Sequence, residues 1–533
     1  MFRPIAVLAL STLLLASCQR ETQVERANRE KVLLVGNGDD PKALDPHLVT
    51  GVIESNVIRS VLEGLVADDP EKDATYRPGA ATSWEHNADY TEWTFHLRPG
   101  ATWSDGAPLT AHDFEFAYHR NLHPDLAAPY VEMLYFIKNA EAFNKGEIKD
   151  FKEVGIAVPD DYTLKVTLRE PVPYLPGVTR HYSWFPVPKH VILQYGKMTD
   201  RHTKWTEPGN MVSNGPFVLK EWKLNDHLEV TRNPRYWDAA TVKLNGIRFI
   251  PIENFYSETR AFLSGQLHTG YQVPPDLVDK LKAEYPKELH QEPYVGSAFI
   301  RINTTRPGLD NPKVRMALSL ALDRKGLCDA VLKGYQPADT LTPQMGDYKP
   351  DPVVGSDPEK ARKLLAEAGY PEGRGFPRYT LLIRSAGART SAEALQAMWK
   401  QQLGILIDIQ AKDFGSYISA QQSMNFDLAI AGWIGDYLDP STFLLMWTKD
   451  NGNNNTGWAS TKFESLLNEA AHQADPLQRL DKFRQAEHLL MDEQPIIPYA
   501  WQARNYLQRP EMKGWYPLLL DNHPWKAVYL DTP

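Results

Sequence analysis

The sequence has few cysteines and few long apolar runs. Cys18 and Cys328 are its two cysteines among 533 residues, so a domain built on several disulfides is excluded. Cys328 falls in a helical apolar pattern and is predicted to be a buried core thiol. After an N-terminal run from Ile5 to Leu15, no stretch approaches the ~20 apolar residues that span a bilayer. The formal net charge is −9, which argues against nucleic acid as a partner.

Motifs of the common enzyme classes are also missing. The 15 histidines form no HExxH or other close ligand pair, and there is no G-x-S-x-G, Walker A or G-x-G-x-x-G sequence. Asp436 and Asp439 resemble a glycosidase pair only superficially, because carboxylates so close in one turn rarely flank a sugar bond. We therefore expect no enzyme activity, no metal and no cofactor.

A chain of this length exceeds what one hydrophobic core supports, so two or three domains are expected. It carries 14 Trp and 24 Tyr. Aromatic side chains with polar edges suit the walls of a cleft.

The clearest architecture lies between residues 350 and 445. "SDPEKARKLLAEAGY" predicts a helix with Asp357 at its N-cap and Gly369 at its end. "TSAEALQAMWKQQLG" predicts a second helix, opened by a Thr390–Glu393 capping box and closed at Gly404. The extended runs "YTLLIR", "ILIDIQ" and "FDLAIAGW" alternate with helical stretches, so the segment is predicted to form a parallel α/β unit with right-handed crossovers.

Two charged residues follow strands of this unit. Ligands of such sheets bind beyond the carboxyl ends of the strands, where Arg389 and Asp436 are expected. Opposite charges at one sheet edge indicate a site for a ligand with two ends. The neighbouring Asp439 is explained as the N-cap of a helix with Pro440 at its first position. Asp436 has no such structural explanation.

The N-terminus is typical of a secretory signal peptide. Its end, "LASC", resembles the bacterial lipobox, in which Leu15, Ala16 and Ser17 would be recognised and Cys18 would become the lipidated first residue; an ordinary signal peptide with an incidental cysteine is the alternative. On this interpretation 1–17 is the signal and 18–30 a solvated tether. Gln19 is compatible with outer-membrane sorting, although the leaflet is left open.

Several segments resemble those of family 5 extracellular solute-binding proteins of ABC importers, and most closely the oligopeptide-binding members. They are "ALDPHLVTGVIESNVIRSVLEGL", "TFHLRPGATWSDGAPLTAHDF", "PVPYLPG", "NGPFVLKEW", "ARKLLAEAGY" and "FDLAIAGWIGDYLDPSTFL". The resemblance extends from about Leu33 to Asp531. It implies an α/β, two-lobed periplasmic-binding-protein (Venus-flytrap) fold of type II with an extra third domain. The implied divisions are a discontinuous lobe I at 31–66, 188–294 and 509–533, the extra domain at 67–187, and lobe II at 295–508.

The resemblance gives the residues around Asp436 ligand-binding roles. Asp436 would pair with the α-ammonium of a peptide, which a closing cleft must neutralise because an unpaired buried ion costs several kcal/mol. Trp433 and Tyr437 would form walls, and Gly432 and Gly435 would let the backbone approach the ligand. The alternative for Asp436 is a local turn with its own backbone.

Four further residues match family positions that line the cleft. Arg389 would meet the peptide carboxylate, and Arg306 would reach the C-terminus of a longer peptide. Glu54 and Tyr130 would lie near the ligand. A solvated arginine, a helix N-terminal glutamate and a core tyrosine are the respective alternatives. Ile430 departs from the pattern, because the oligopeptide-binding members have an arginine there that helps hold the carboxyl end of short peptides, so ligand length is left open.

The sequence thus predicts a periplasmic, lipid-anchored, monomeric receptor that binds short peptides and delivers them to ABC permease subunits served by a separate cytoplasmic ATPase. A binding protein for another solute (a murein peptide, a dipeptide or a sugar) and a sensory surface lipoprotein remain alternatives.

Overall fold

The computed structural model describes residues 21–384, 388–449, 451–473 and 475–532. The predicted signal peptide and the lipobox cysteine Cys18 lie outside the described residues. Within these ranges, no helix combines the length and the apolar character needed to cross a membrane.

The strands are, in chain order, β1 Val32–Gly36, β2 Val66–Asp68, β3 Tyr76–Pro78, β4 Ala81–His86, β5 Glu92–Leu97, β6 Ile156–Asp160, β7 Thr163–Thr167, β8 Phe217–Lys223, β9 His227–Arg232, β10 Gly246–Ile250, β11 Leu289–Ile302, β12 Gln336–Pro337, β13 Tyr379–Arg384, β14 Ile407–Lys412, β15 Leu428–Ile434, β16 Ile496–Leu507, β17 Met512–Lys513 and β18 Tyr529–Leu530.

The α-helices are α1 Gln23–Glu30, α2 Val52–Val61, α3 Ala111–Leu122, α4 Ala140–Asn144, α5 Leu175–Thr179, α6 Lys189–Tyr195, α7 Phe255–Leu263, α8 Val278–Glu284, α9 Pro312–Leu320, α10 Arg324–Ala330, α11 Pro358–Glu367, α12 Arg389–Leu403, α13 Phe414–Gln422, α14 Ser441–Leu444, α15 Thr461–Ala471 and α16 Pro476–Glu493.

Three larger sheets organise these elements. A four-stranded sheet in the order β1-β10-β9-β8 defines lobe I, a second in the order β4-β5-β7-β6 defines the extra domain with α3 to α5, and a six-stranded sheet in the order β12-β16-β11-β15-β13-β14 defines lobe II. The chain enters lobe II through β11 and leaves it through β16, and these two strands form the longest antiparallel pairing among the described residues. These two strands therefore form the connection between the lobes. The residue boundaries given above for the domains stay a prediction.

The buried apolar side chains divide in the same way. One large cluster is shared by lobe I and the extra domain, and a second fills lobe II. Among the described residues of 295–508, Tyr437 is the buried one that joins the first cluster. The turn after β15 thus touches the other half of the molecule. Cys328, on α10, is 3% exposed, which confirms the predicted buried thiol.

The predicted parallel α/β unit is confirmed. β13 lies between β14 and β15 and pairs in parallel with both. Asp357 caps α11 by accepting from the Lys360 N–H, as predicted, and α12 ends at Gly404 in the left-handed conformation that glycine favours.

Two local predictions need correction. Helix α12 begins at Arg389 with Ala388 at its N-cap and no side-chain cap, so the Thr390–Glu393 capping box does not form. Residues 23–30, predicted as part of a solvated tether, form α1 instead. Val24 and Ala27 of α1 are buried against Leu34 of lobe I, because a real capping box at Thr22 and an apolar stripe favour a docked helix.

Candidate ligand-binding site

In the part of the chain that the structure describes, strand β15 is paired on both sides at its first two residues and on one side along the rest of its length. It pairs with β11 from Leu428 to Ile434, whereas its pairs with β13 are at Leu428 and Ala429. In the described residues, no strand covers the β13 side of residues 430–434, and Gly432 within this segment is exposed. Such an edge can accept an extended peptide as an additional strand.

Asp436 follows this open edge and is half-buried. Its backbone N–H donates to Thr442 Oγ1 at 3.0 Å. Burial raises the pKa of the Asp436 carboxyl to about 7, the charge of Glu132 adds to that rise, and the Thr442 hydroxyl and Arg180 oppose it. The Arg180 guanidinium itself pairs with Asp68 at 3.2 Å. Asp436 is therefore a desolvated carboxyl to which no cation of the described chain is bound as a close partner.

Aromatic residues from the segment predicted to form the extra domain lie near this carboxyl. The Tyr130 ring meets His181 edge-on at a centroid distance of 4.9 Å and Tyr182 at 6.1 Å. Burial raises the pKa of the Tyr130 and Tyr182 hydroxyls, and the negative charge of Asp436 contributes to both shifts. These tyrosines lie in the segment predicted to form the extra domain, and Asp436 follows β15 of the six-stranded sheet, so the carboxyl lies where these two parts of the chain meet. The predicted neighbourhood of Tyr130 and Asp436 is present.

Trp433 and Gly435 occupy different environments on either side of the last residue of β15. Trp433 is half-buried, and its indole N–H has no acceptor in the described residues. Gly435 is buried, and a Cβ there would lie 2.5 Å from Val295 Cγ1 and 3.3 Å from Thr442 Cγ2. The close approach that Gly435 permits is therefore to its own lobe, which corrects the expectation that it makes room for a ligand.

Tyr437 packs between the domains. Its ring stacks on Tyr174 of the extra domain at 5.4 Å with an interplanar angle of 15° and meets Phe136 edge-on at 6.1 Å. It is 5% exposed. Tyr437 is thus part of a contact between lobe II and the extra domain. The sequence had suggested instead that it forms a wall of the cleft.

Asp439 has a larger structural role than a helix cap. Its Oδ1 accepts from the Ser441 N–H at 3.0 Å, so it does satisfy the start of α14, whose N-cap position is Pro440. Its carboxylate also accepts two hydrogen bonds from Arg479: Nη1 donates to Oδ2 at 2.6 Å and Nη2 donates to Oδ1 at 2.9 Å. Both residues are buried, and the Arg479 guanidinium lies 4.8 Å from the Tyr174 ring centroid. This bidentate pair fixes the turn that carries Asp436.

The two predicted carboxylate-binding arginines have partners within lobe II. Arg389 is exposed, and its Nε donates to Glu393 at 2.9 Å on the same helix. Arg306 is half-buried and lies 3.1 Å from Asp427, which precedes β15 at the end opposite to Asp436. The structure does not bring either arginine into contact with Asp436.

Glu54 lies in the first turn of α2. It is 7% exposed at the third position of α2, and its Oε1 accepts from the Lys42 N–H at 3.0 Å. The charge of Glu54 acts on the Tyr182 hydroxyl, so Glu54 lies at the margin of the aromatic group near Asp436.

Sequence reasoning missed Glu132, Arg180 and Tyr182 beside Asp436. They come from segments far away in the chain that carry no local motif, so proximity to Asp436 could be found only in the folded chain.

Comparison with known proteins places this geometry in a family. Residues 75–455 match the model for bacterial extracellular solute-binding proteins, family 5 middle. The chain is 35% identical over 513 residues to the periplasmic oligopeptide-binding protein OppA of Salmonella typhimurium, covering 94% of this chain and 93% of that protein. It is 32% identical over 504 residues to the periplasmic murein peptide-binding protein MppA of Escherichia coli, covering 93% and 91%.

A solved structure agrees with the fold. The structure of Haemophilus influenzae OppA in complex with the peptide RPPGFSPFR superposes with a TM-score of 0.81 at 32% identity, covering 94% of this chain and 99% of that one. The expected two-lobed, type II α/β fold is thereby confirmed. The chain belongs to family 5 of the bacterial extracellular solute-binding proteins.

Proposed function

We propose that this protein is the lipid-anchored receptor of an ABC peptide importer and that Asp436 binds the α-ammonium of its ligand. The observation that carries the proposal is the Asp436 carboxyl, which is desolvated between lobe II and the extra domain without a cationic partner in the described chain. A peptide ammonium supplies the missing charge, and the pair becomes favourable once the cleft excludes water.

The open edge of β15 accounts for the rest of the ligand. A peptide whose ammonium sits at Asp436 can run back along residues 430–434 and form main-chain hydrogen bonds that are independent of its sequence. Side chains then project to either side, where water can fill unused space. The relatives named above bind oligopeptides or murein peptides, which supports a peptide ligand here.

Calorimetric titration tests this binding mode. We expect tetra-alanine to bind and its N-acetylated form to lose about 30-fold or more in affinity, because removing one member of a buried charge pair typically costs about 2–5 kcal/mol. Asp408→Asn is the matched control for Asp436→Asn, because it removes the charge of an exposed carboxylate that pairs with Arg378. Equal affinity for the free and acetylated peptides would reject the proposal.

A murein peptide is the second candidate ligand. Glu132 lies close enough to Asp436 to raise its pKa, so the site offers two carboxylates to a ligand with two amines. Mass spectrometry of ligand that copurifies with the protein distinguishes murein peptides from ordinary oligopeptides.

Membrane attachment through Cys18 belongs to the same proposal. Lipidation there would anchor the receptor in the envelope, from where the closed form presents peptide to permease subunits. Cys18→Ser should abolish incorporation of labelled palmitate into the protein. Labelling that persists in this variant would contradict lipid anchoring at Cys18.

A further inference from the structure

Arg180 is a buried arginine with two unpaired hydrogen-bond donors. It is 2% exposed and is the C-cap residue of α5. Its Nη1 lies 3.2 Å from Asp68, whereas Nε and Nη2 are buried without an acceptor in the described residues. Buried donors of a charged group are costly to leave unpaired, and such exceptions require an explanation.

Nε and Nη2 together form the edge of a guanidinium that fits a carboxylate. Two N–H groups point in parallel from this edge and match the two oxygens of a carboxylate. On the surface of the same protein, Nε and Nη2 of Arg378 donate to the two carboxylate oxygens of Asp408, each at 2.7 Å. Arg180 presents the same edge, but in the described residues no carboxylate occupies it.

The polar neighbours of Arg180 do not satisfy this edge. Burial raises the pKa of the Tyr76 hydroxyl and Arg180 opposes that rise, yet the hydroxyl makes no hydrogen bond with Nε or Nη2. Arg59 donates to the backbone carbonyl of Arg180 at 3.0 Å and lies 4.0 Å from Asp68. Burial lowers the pKa of the Arg59 guanidinium to about 10; Asp68 opposes this shift and Arg180 adds to it. Two guanidinium groups thus share one carboxylate.

Both arginines line a cavity of about 50 Å³ between the end of α2, the segment after α5 and residues 522–526. Its lining carries three cations and two carboxylates: Arg59, Arg180 and Lys526, and Asp68 and Glu63. Glu63 already accepts hydrogen bonds from two aromatic side chains. A site needs about 10–15 Å³ to admit one water molecule, so this cavity has room for the three heavy atoms of a carboxylate group.

The cavity lies next to the aromatic residues near Asp436. Arg180 is followed directly by His181, whose ring meets Tyr130 edge-on at 4.9 Å. Burial raises the pKa of Asp436, and Arg180 acts against that rise, so the charge of Arg180 reaches the proposed ammonium site. Two sources of a carboxylate fit this position: an acidic side chain near the N-terminus of a bound peptide, and a small carboxylate from solution.

We infer that Nε and Nη2 of Arg180 bind a carboxylate group in this cavity. The bound carboxylate satisfies both donors and neutralises the positive charge that Arg59 and Arg180 have in excess of Asp68. The inference goes beyond the proposed function, and only the peptide as a source of the carboxylate rests on that function.

Urea unfolding in sodium acetate, with sodium chloride of equal concentration as the control, tests the solution source. We expect acetate to raise the urea midpoint of the ligand-free protein in a saturable manner, because a ligand that binds the folded state stabilises it. Chloride is spherical and lacks the paired oxygens that fit the edge, so its effect should be smaller. Arg180→Gln should remove the difference between the two salts, whereas Arg378→Gln should leave it unchanged. Arg180→Lys, which keeps a cation beside Asp68 but lacks the paired donors, should also remove it.

Titration calorimetry tests the peptide source. Tetra-alanine with glutamate at the first, second or third position is compared with the same peptide carrying glutamine there. We expect glutamate at one of these positions to bind about fivefold or more tightly than glutamine. Arg180→Gln should abolish this preference and Arg180→Lys should reduce it, whereas Arg378→Gln should leave it unchanged.

The unaltered protein alone can overturn the inference. If acetate and chloride act alike on it, and no glutamate peptide binds more tightly than its glutamine counterpart, Arg180 binds no carboxylate. Effects that persist in a folded Arg180→Gln variant also overturn it. An effect of either kind that this variant loses supports the inference and identifies the source. If tetra-alanine does not bind at all, the proposed function is wrong, and the acetate titration still decides this inference.

Discussion

Peptide binding should depend on pH because of Asp436. In the free protein its carboxyl has a pKa of about 7, whereas pairing with an ammonium requires the ionised form. Below pH 7 the free protein must therefore release a proton to bind, and affinity should be lost as pH falls through that value. If the carboxylate stays ionised in the complex, affinity falls roughly 50-fold between pH 7 and pH 5.

Titration calorimetry in buffers of different ionisation enthalpy measures this linkage. At pH 5 the dependence of the observed heat on buffer should correspond to release of nearly one proton, and at pH 7 to about half a proton. Asp436→Asn should bind weakly and without this proton release, whereas Asp408→Asn should behave as the unaltered protein. The reasoning is refuted if affinity for tetra-alanine is the same at pH 5 and pH 7 and no proton is released.

Three further predictions concern stability, each measured by urea unfolding. The rise of the Asp436 pKa from 3.8 to about 7 makes ionisation unfavourable by about 4 kcal/mol, and solvent screening of this half-buried group roughly halves that figure. Asp436→Asn should therefore stabilise the ligand-free protein by about 2 kcal/mol at pH 8; the gain should shrink as pH falls towards 4, and a gain that grows instead would contradict it. Arg479→Gln should destabilise the protein by about 3–5 kcal/mol, because Asp439 would stay buried without its partner, while Arg378→Gln should change stability by less than about 0.5 kcal/mol; equal effects would refute the role of the buried pair. Gly435→Ala should cost about 1–3 kcal/mol, because the added Cβ would lie 2.5 Å from Val295 Cγ1; a neutral effect would mean that β15 shifts without strain.

The local elements around the site were predictable because their signals are local. Asp357 before Pro358 gives the start of α11, and the apolar runs give β13 and β15. Alternation of strands and helices then requires parallel pairing and sets Asp436 at a carboxyl end of the sheet.

Interactions across the chain were not predictable in this way. Arg479 lies 40 residues after Asp439, and nothing near either residue indicates that they pair. Arg389 was expected to reach towards the ligand, yet Glu393, one helical turn away, gives it a nearer partner. Because glycine has no side chain, Gly435 was expected to let the backbone approach the ligand. In the fold, the atoms that a Cβ at Gly435 would meet belong to Val295 and Thr442.

The position of Asp436 itself was indicated by the sequence. Asp436 stands in a turn where a second carboxylate already explains the helix start, so its position was unusual enough to notice.

A crystal structure of the protein with bound tetra-alanine tests the central claim most directly. We predict that the peptide lies between the lobes with its α-ammonium nitrogen about 3 Å from a carboxylate oxygen of Asp436. A peptide bound with that nitrogen paired to another residue, and with Asp436 left without a cation, would contradict the account.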